Sequence, residues 1–175
     1  MMEYFTRYGL EFNPFLKNSK EILVDTNERR ETLFRLDYLA KTKGFGLLTG
    51  GAGRGKTTVI RTWAAGLLAG LPKLNSTLRL AIHEPLYQRL VMNYNLEGLS
   101  KEEGRSYIHE KLKGAGCNQT VFHEAAIEAI LNAADGTPRI INKLCNASLL
   151  IGDSSKSEII TGDIAMQAIN DCELG

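Results

Sequence analysis

The chain has 175 residues, 43% of them apolar and 23% charged, with a formal net charge of +1. This is the composition of an ordinary globular chain, long enough to bury a sizeable core in one domain or two small ones. The near-neutral balance argues against a large basic surface for nucleic acid, and Cys117, Cys145 and Cys172 have neither metal-ligand spacing nor a paired framework, so they read as reduced core thiols of a cytoplasmic protein.

The first segment is aromatic: Tyr4, Phe5, Tyr8 and Phe12 lead into Asn13-Pro14-Phe15, and Gly9 and Pro14 predict an extended strap. No targeting segment and no run long and apolar enough to cross a membrane is visible. From Asn27 to about Lys43 the spacing of Leu33, Leu36, Leu39 and Ala40 predicts a helix, with Asn27 as its cap. Gly44-Phe45-Gly46-Leu47-Leu48-Thr49 reads as a buried strand. A glycine-rich loop follows, then a helix from Lys56 to about Ala65. Ser76 to Ala81 and Pro85 to Leu90 read as short helices, and Val91 to Leu96 alternates as a strand.

From Ser100 onward the pattern is helical throughout. Ser100 and Glu103 form a capping box, and that helix ends near Gly114. Thr120 is expected to cap a second helix carrying Phe122, Ala126, Ile127, Ile130 and Leu131, which stops at Gly136. Pro138 opens a third, with Ile141, Leu144 and Leu149 inside, and Thr161 caps a fourth, with Ile164, Ala168 and Ile169. An α/β part over residues 1–99 and an all-α part over residues 100–175 are therefore expected.

Gly50-Gly51-Ala52-Gly53-Arg54-Gly55-Lys56-Thr57 matches the Walker A pattern at every fixed position, with an apolar strand before it and a helix after it. The residue types suit the chemistry. Backbone N–H groups must turn inward around phosphates, and glycines permit the dihedrals and the close approach. The following helix aims its positive end at the same anion. Lys56 supplies a mobile charge for the β- and γ-phosphates, and the Thr57 hydroxyl is the expected Mg²⁺ ligand. Gly51, Ala52, Gly53, Arg54, Gly55, Lys56, Thr57 and Thr58 are thus the candidate residues for binding Mg-ATP.

The sequence resembles bacterial AAA+ ATPases of the general secretion pathway protein A (ExeA) type and their relatives, the ATP-binding helper proteins of transposons. The matching stretches are Tyr8-Gly9-Leu10 with Asn13-Pro14-Phe15, the run from Gly44 through the phosphate-binding loop, Leu68 to Leu74, Gln88-Arg89-Leu90, and Gly136-Thr137-Pro138-Arg139 with the residues up to Cys145. The resemblance implies a three-layer P-loop α/β core followed by a four-helix lid. It also implies that Arg139 is the sensor arginine reaching the γ-phosphate from the lid, and that Arg89 is offered to a neighbour's nucleotide; a solvated arginine is the alternative for each. Phe12 and Pro14, with Phe15, are placed near the adenine by the same resemblance, with plain packing as the alternative.

The sequence departs from that family in one respect. No apolar strand ending in Asp-Glu follows the phosphate-binding loop, although such ATPases need one to hold Mg²⁺ and orient the attacking water. Glu102-Glu103 follows no strand, and Ile22-Leu23-Val24-Asp25 precedes the loop. The helix after the loop runs directly into Leu68-Ala69-Gly70-Leu71-Pro72, which corresponds to a late core strand in relatives. Three explanations stand: a block of chain is missing between about residues 64 and 69, the block is deleted, or the helix continues to Gly70 in a different small fold.

His83, His109 and His123 form no metal or catalytic spacing, and Trp63 is expected in the core. The resemblance implies an ATPase that turns ATP into ADP and phosphate as a homo-oligomeric switch. Its work is expected to be DNA transposition, with nonspecific double-stranded DNA and a transposase as partners. Assembly of a secretion apparatus, or a nucleotide-binding interaction module without turnover, is the alternative.

Overall fold

The structure, a computed structural model, describes residues 4–16, 22–42, 45–63, 67–70, 79–80, 84–88 and 90–173. The chain divides into two compact units, residues 25–98 and residues 1–24 with 99–175. The first 24 residues thus group with the helical unit, whereas the sequence reading placed them with residues 25–99.

In the unit of residues 25–98, helix α2 (Asn27–Thr42) precedes strand β1 (Phe45–Gly50), and helix α3 (Lys56–Thr62) precedes strand β2 (Leu67–Gly70). A single turn, α4 (Glu84–Tyr87), leads to strand β3 (Leu90–Leu96). The sheet is parallel with β1 in the centre, in the order β2-β1-β3. Gly46 pairs with Leu67 and Thr49 with Gly70 on one side; Gly46 pairs with Met92 and Gly50 with Leu96 on the other. Leu47 and Leu48 point to opposite faces and both are buried, the mark of a strand covered on each side.

This arrangement removes one of the three explanations for the run after the loop. Helix α3 stops at Thr62, where Trp63 turns to an extended conformation, so it does not continue to Gly70. Leu67–Gly70 is instead a strand beside β1, reached through residues 51–66. That stretch, helix included, is long enough for a parallel crossover, which takes about a dozen residues. Residues 64–66, where a chain break was suspected, lie outside the described residues. Trp63 is half-buried rather than core, and its indole N–H donates to Asp37 Oδ1 at 2.7 Å. The cap of α2 is Thr26, whose Oγ1 accepts the Arg29 N–H, not Asn27.

The helical unit contains α1 (Tyr4–Arg7), α5 (Lys101–Gly114), α6 (Glu124–Ala134), α7 (Pro138–Ser154) and α8 (Gly162–Glu173). The short α1 falls where only an extended strap was expected. The capping box at Ser100 and Glu103 and the proline opening of α7 are both present. Helix α6 starts later than expected. His123 caps it through Nδ1, while Val121 and Phe122 run extended and Phe122 bridges to Ile160. Phe122 is therefore a core residue beside the helix, not on it, and Thr120 caps nothing there.

Ile108, Ile127, Ile130, Ile141, Leu149 and Ile160 form the centre of this unit's core. The N-terminal aromatics pack into it because their polar neighbours find partners. Asn13 is buried, and its Nδ2 donates to the Tyr4 hydroxyl at 2.9 Å and to Asn146 Oδ1 at 2.7 Å while its Oδ1 accepts the Phe15 N–H. Lys111 is buried too and donates to the Pro14 carbonyl at 3.1 Å. A buried polar group without such partners would cost about 1–3 kcal/mol.

Two phenols of this unit predict an alkaline limit to its stability. Burial pushes Tyr8 from an ordinary 10.0 to about 12, with Asp153 adding to the effect. Burial likewise pushes Tyr107 to about 12, against its hydrogen bond to Asn142. Both hold their protons more tightly folded than unfolded. Their contribution is therefore fully present below about pH 10 and is lost as pH rises towards about 12. A urea-midpoint series across that window should fall steeply, and less steeply for Tyr107→Phe.

Candidate nucleotide-binding site

The loop between β1 and α3 takes its shape from its glycines. Gly53 has φ 81° and Gly55 has φ 90°, while Arg54 between them is not left-handed. Residues of alternating hand turn successive backbone N–H groups toward one side, which is the geometry of an anion-binding nest. An L-residue in the left-handed conformation costs roughly 1–2 kcal/mol, so glycine is favoured at both positions. A Cβ on Gly55 would meet no heavy atom within 4 Å, so its left-handed conformation and not crowding is what favours glycine there. Gly50 answers a different need. A Cβ there would lie 2.8 Å from the Leu96 carbonyl oxygen, so the strand end can seat against β3 only without a side chain.

Lys56, the first residue of α3, folds back over the loop, and its Nζ donates to the carbonyl oxygens of Gly50 and Gly51, each at 2.8 Å. The ammonium is thus already held at the mouth of the loop by acceptors of its own chain. Thr57 is exposed in the first turn of α3, Thr58 is half-buried, and Val59 is buried. At the end of β1, the Thr49 hydroxyl bonds Asn95 Oδ1 at 3.1 Å, tying the strand that carries the loop to β3.

These residues fit a polyphosphate. Gly51, Ala52, Gly53, Arg54 and Gly55 would offer backbone amides, and Lys56 a charge for the outer phosphates. Thr57, with Thr58 beside it, would supply the hydroxyl for a magnesium ion that the phosphates carry in. Among the described residues no group of three or more His, Cys, Asp or Glu side chains is placed to hold a metal. None of the described strands ends in Asp-Glu. Asp25, one of the alternatives weighed for that role, lies outside any strand and pairs with Arg29 and Arg30.

The other candidates lie outside the loop's own unit or outside the described residues. Arg139 is exposed at the second position of α7, in the helical unit. Arg89 lies outside the described residues. Phe15 is buried in the core of the helical unit, Pro14 is buried beside it, and Phe12 is half-buried against the same core. Packing therefore accounts for Phe15. The sequence reading assigned no role to two polar residues: Asn13, described above, and Glu28, whose Oε1 accepts the N–H groups of Glu97 at 2.7 Å and Gly98 at 2.9 Å. Glu28 has its backbone partners 69–70 residues away, and Asn13 reaches Asn146 133 residues away, so neither of these contacts is signalled locally.

No family model matches the chain. General secretion pathway protein A of Aeromonas hydrophila is 33% identical over 103 residues, which cover 58% of this chain and 19% of that protein. The chain thus spans about a fifth of the length of the curated relative it matches. Among solved structures, Aeropyrum pernix ORC2 in its ADPNP-ADP complexes superposes with a TM-score of 0.67 at 12% identity, over 90% of this chain and 71% of that one. The Thermotoga maritima RuvB Holliday junction branch migration motor superposes with a TM-score of 0.58 at 15% identity, over 91% and 73%. The fold is that of the P-loop AAA+ ATPases. In AAA+ terms the small parallel sheet is an incomplete core, and the helices from α5 onward are the lid. The homologue is a protein of the general secretion pathway.

Proposed function

We propose that the chain binds Mg-ATP in the loop from Gly50 to Thr57 and acts as the nucleotide-binding module of an oligomeric AAA+ ATPase. The observation that carries this reading is the loop itself: two left-handed glycines, a lysine poised over the loop mouth and a threonine next to it, set between a buried parallel strand and a helix.

The chain's own residues would bind the phosphates, draw charge from them through Lys56 and orient the cation through Thr57. ATP cleavage to ADP and phosphate further needs an acid to orient water, and Arg139 and Arg89 would complete the site from the lid and from a neighbouring subunit. The described residues provide no Asp-Glu strand, so tight binding with little turnover by the isolated chain is the expected behaviour. Steady-state phosphate release measured beside equilibrium Mg-ATP binding tests this. Micromolar binding with release near background supports it, and absence of binding below the millimolar range contradicts it.

The named relative favours work in assembling a secretion apparatus over the transposition role, which has no support beyond the sequence resemblance. Phosphate release should then be indifferent to double-stranded DNA. No helix among the described residues is long and apolar enough to cross a membrane.

A further inference from the structure

We propose that the groove between the second half of α5 and the extended run at Val121 and Phe122 takes an extended peptide of a partner protein. The peptide places an apolar side chain in the groove and a carboxylate at its rim. The groove is a cavity of about 330 Å³, formed wholly by residues of the helical unit. That is the small end of the range for ligand sites, room for a side chain and its backbone. Its floor is apolar, because Leu112, Val121 and Ile127 line it and all three are buried. The wall opposite α5 is already fixed. The Cys117 N–H donates to the Leu112 carbonyl at 3.0 Å, the Cys117 Sγ to the Tyr8 carbonyl at 3.1 Å, and Gln119 Nε2 to the Arg7 carbonyl at 3.0 Å. A wall held in this way loses little freedom when a ligand arrives.

That wall decides the kind of ligand. Phe122 bridges to Ile160 in parallel: the Ile160 N–H donates to the Val121 carbonyl at 2.8 Å and the His123 N–H to the Ile160 carbonyl at 2.9 Å. Backbone groups of successive residues in extended chain point to opposite sides, so the N–H and C=O of Phe122 face away from Ile160. The groove lies on that side, since Val121 and Phe122 line it and Ile160 does not. Among the described residues neither group has a hydrogen-bond partner, although Phe122 is only 3% exposed. Buried backbone donors and acceptors are nearly always paired. A donor and an acceptor on one extended residue match a second extended backbone, the pairing by which peptides add to a strand edge. An apolar small molecule would fill the floor and leave both groups unpaired. The rim sets the charge. His109 and Lys113 stand four residues apart on one face of α5, both exposed, and both offer nitrogen donors there. Among the described residues Lys113 is in no ion pair, so the rim favours a carboxylate despite Glu110 beside it.

The probe is a library of random heptapeptides displayed on phage, selected on the immobilised full chain. No nucleotide is present, so the outcome is independent of the proposed ATP binding. Selected sequences should share an apolar residue with an acidic one close to it. Their synthetic forms should shift the amides of Lys113, Val121 and Phe122 in the ¹⁵N-labelled chain. Hydrogen exchange reads the backbone pairing directly. In the free chain the Phe122 amide should exchange fast beside a protected His123 amide, and bound peptide should slow Phe122 by about tenfold or more. Methylating the peptide nitrogens one at a time should weaken binding at alternate positions, the period of a paired strand. Lys113→Glu should weaken binding about fivefold or more, and the exposed position leaves the core as it was. Selection of no shared sequence would overturn the proposal, as would peptides that shift amides elsewhere. So would a Phe122 amide that is protected in the free chain, or that becomes protected only as the chain is concentrated, which would mean a second copy. Methylation effects without alternation would overturn it too, because the backbone of Phe122 would then play no part.

Discussion

Lys56→Ala should weaken Mg-ATP binding about 10–100-fold, the equivalent of losing one charge-assisted contact of roughly 1.5–3 kcal/mol. The lysine holds the only charge-bearing side chain that the Walker A pattern directs at the phosphates, and its Nζ already sits 2.8 Å from the Gly50 and Gly51 carbonyl oxygens. Removing it takes away that charge and also two contacts that close the loop. Lys56→Arg should recover little, because a planar fork does not replace a compact ammonium on a flexible stem. Calorimetric titration of the three proteins checks both statements. Circular dichroism should show the same helix content in each, since Lys56 is half-buried at a helix start and packs into no core.

Ile141→Ala should cost about 2–5 kcal/mol of stability, which is a large share of the 5–15 kcal/mol typical of a domain. Ile141 is fully buried among the helices of the lid, whereas its neighbour Ile140 is 38% exposed. Ile140→Ala should therefore stay within roughly 0.5 kcal/mol of the parent. Urea unfolding followed by circular dichroism separates the two. The comparison is sharp because the residues are identical and adjacent, so burial alone sets the difference. Amide exchange should place the loss in residues 1–24 and 99–173, the unit that Ile141 belongs to.

The lid was legible in the sequence because its signals are local. A capping box, a proline at a helix start and apolar residues at helical spacing need no distant partner to be read. The loop from Gly50 to Thr57 was legible for the same reason, since its strand, glycines, lysine and threonine are contiguous. Two features were not. The strand at Leu67–Gly70 was suggested only by the resemblance, because it exists by pairing with β1 and four apolar or small residues directly after a helix carry no period of their own. The membership of residues 1–24 depends on Asn13 reaching Asn146 and Lys111 reaching Pro14, contacts that no spacing rule reveals. Thr120 misled for a related reason: Val121 and Phe122 look like a helix start, but the bridge to Ile160 draws them into extended backbone.

The most direct test of nucleotide binding is an amide chemical-shift titration of the full chain with Mg-ATP. The expected result is a saturating shift of the amides from Gly51 to Thr58, at micromolar nucleotide, that Lys56→Ala moves to about 10–100-fold higher nucleotide. A loop whose amides stay in place while nucleotide is added to millimolar concentration, or shifts that survive Lys56→Ala unchanged, would contradict it.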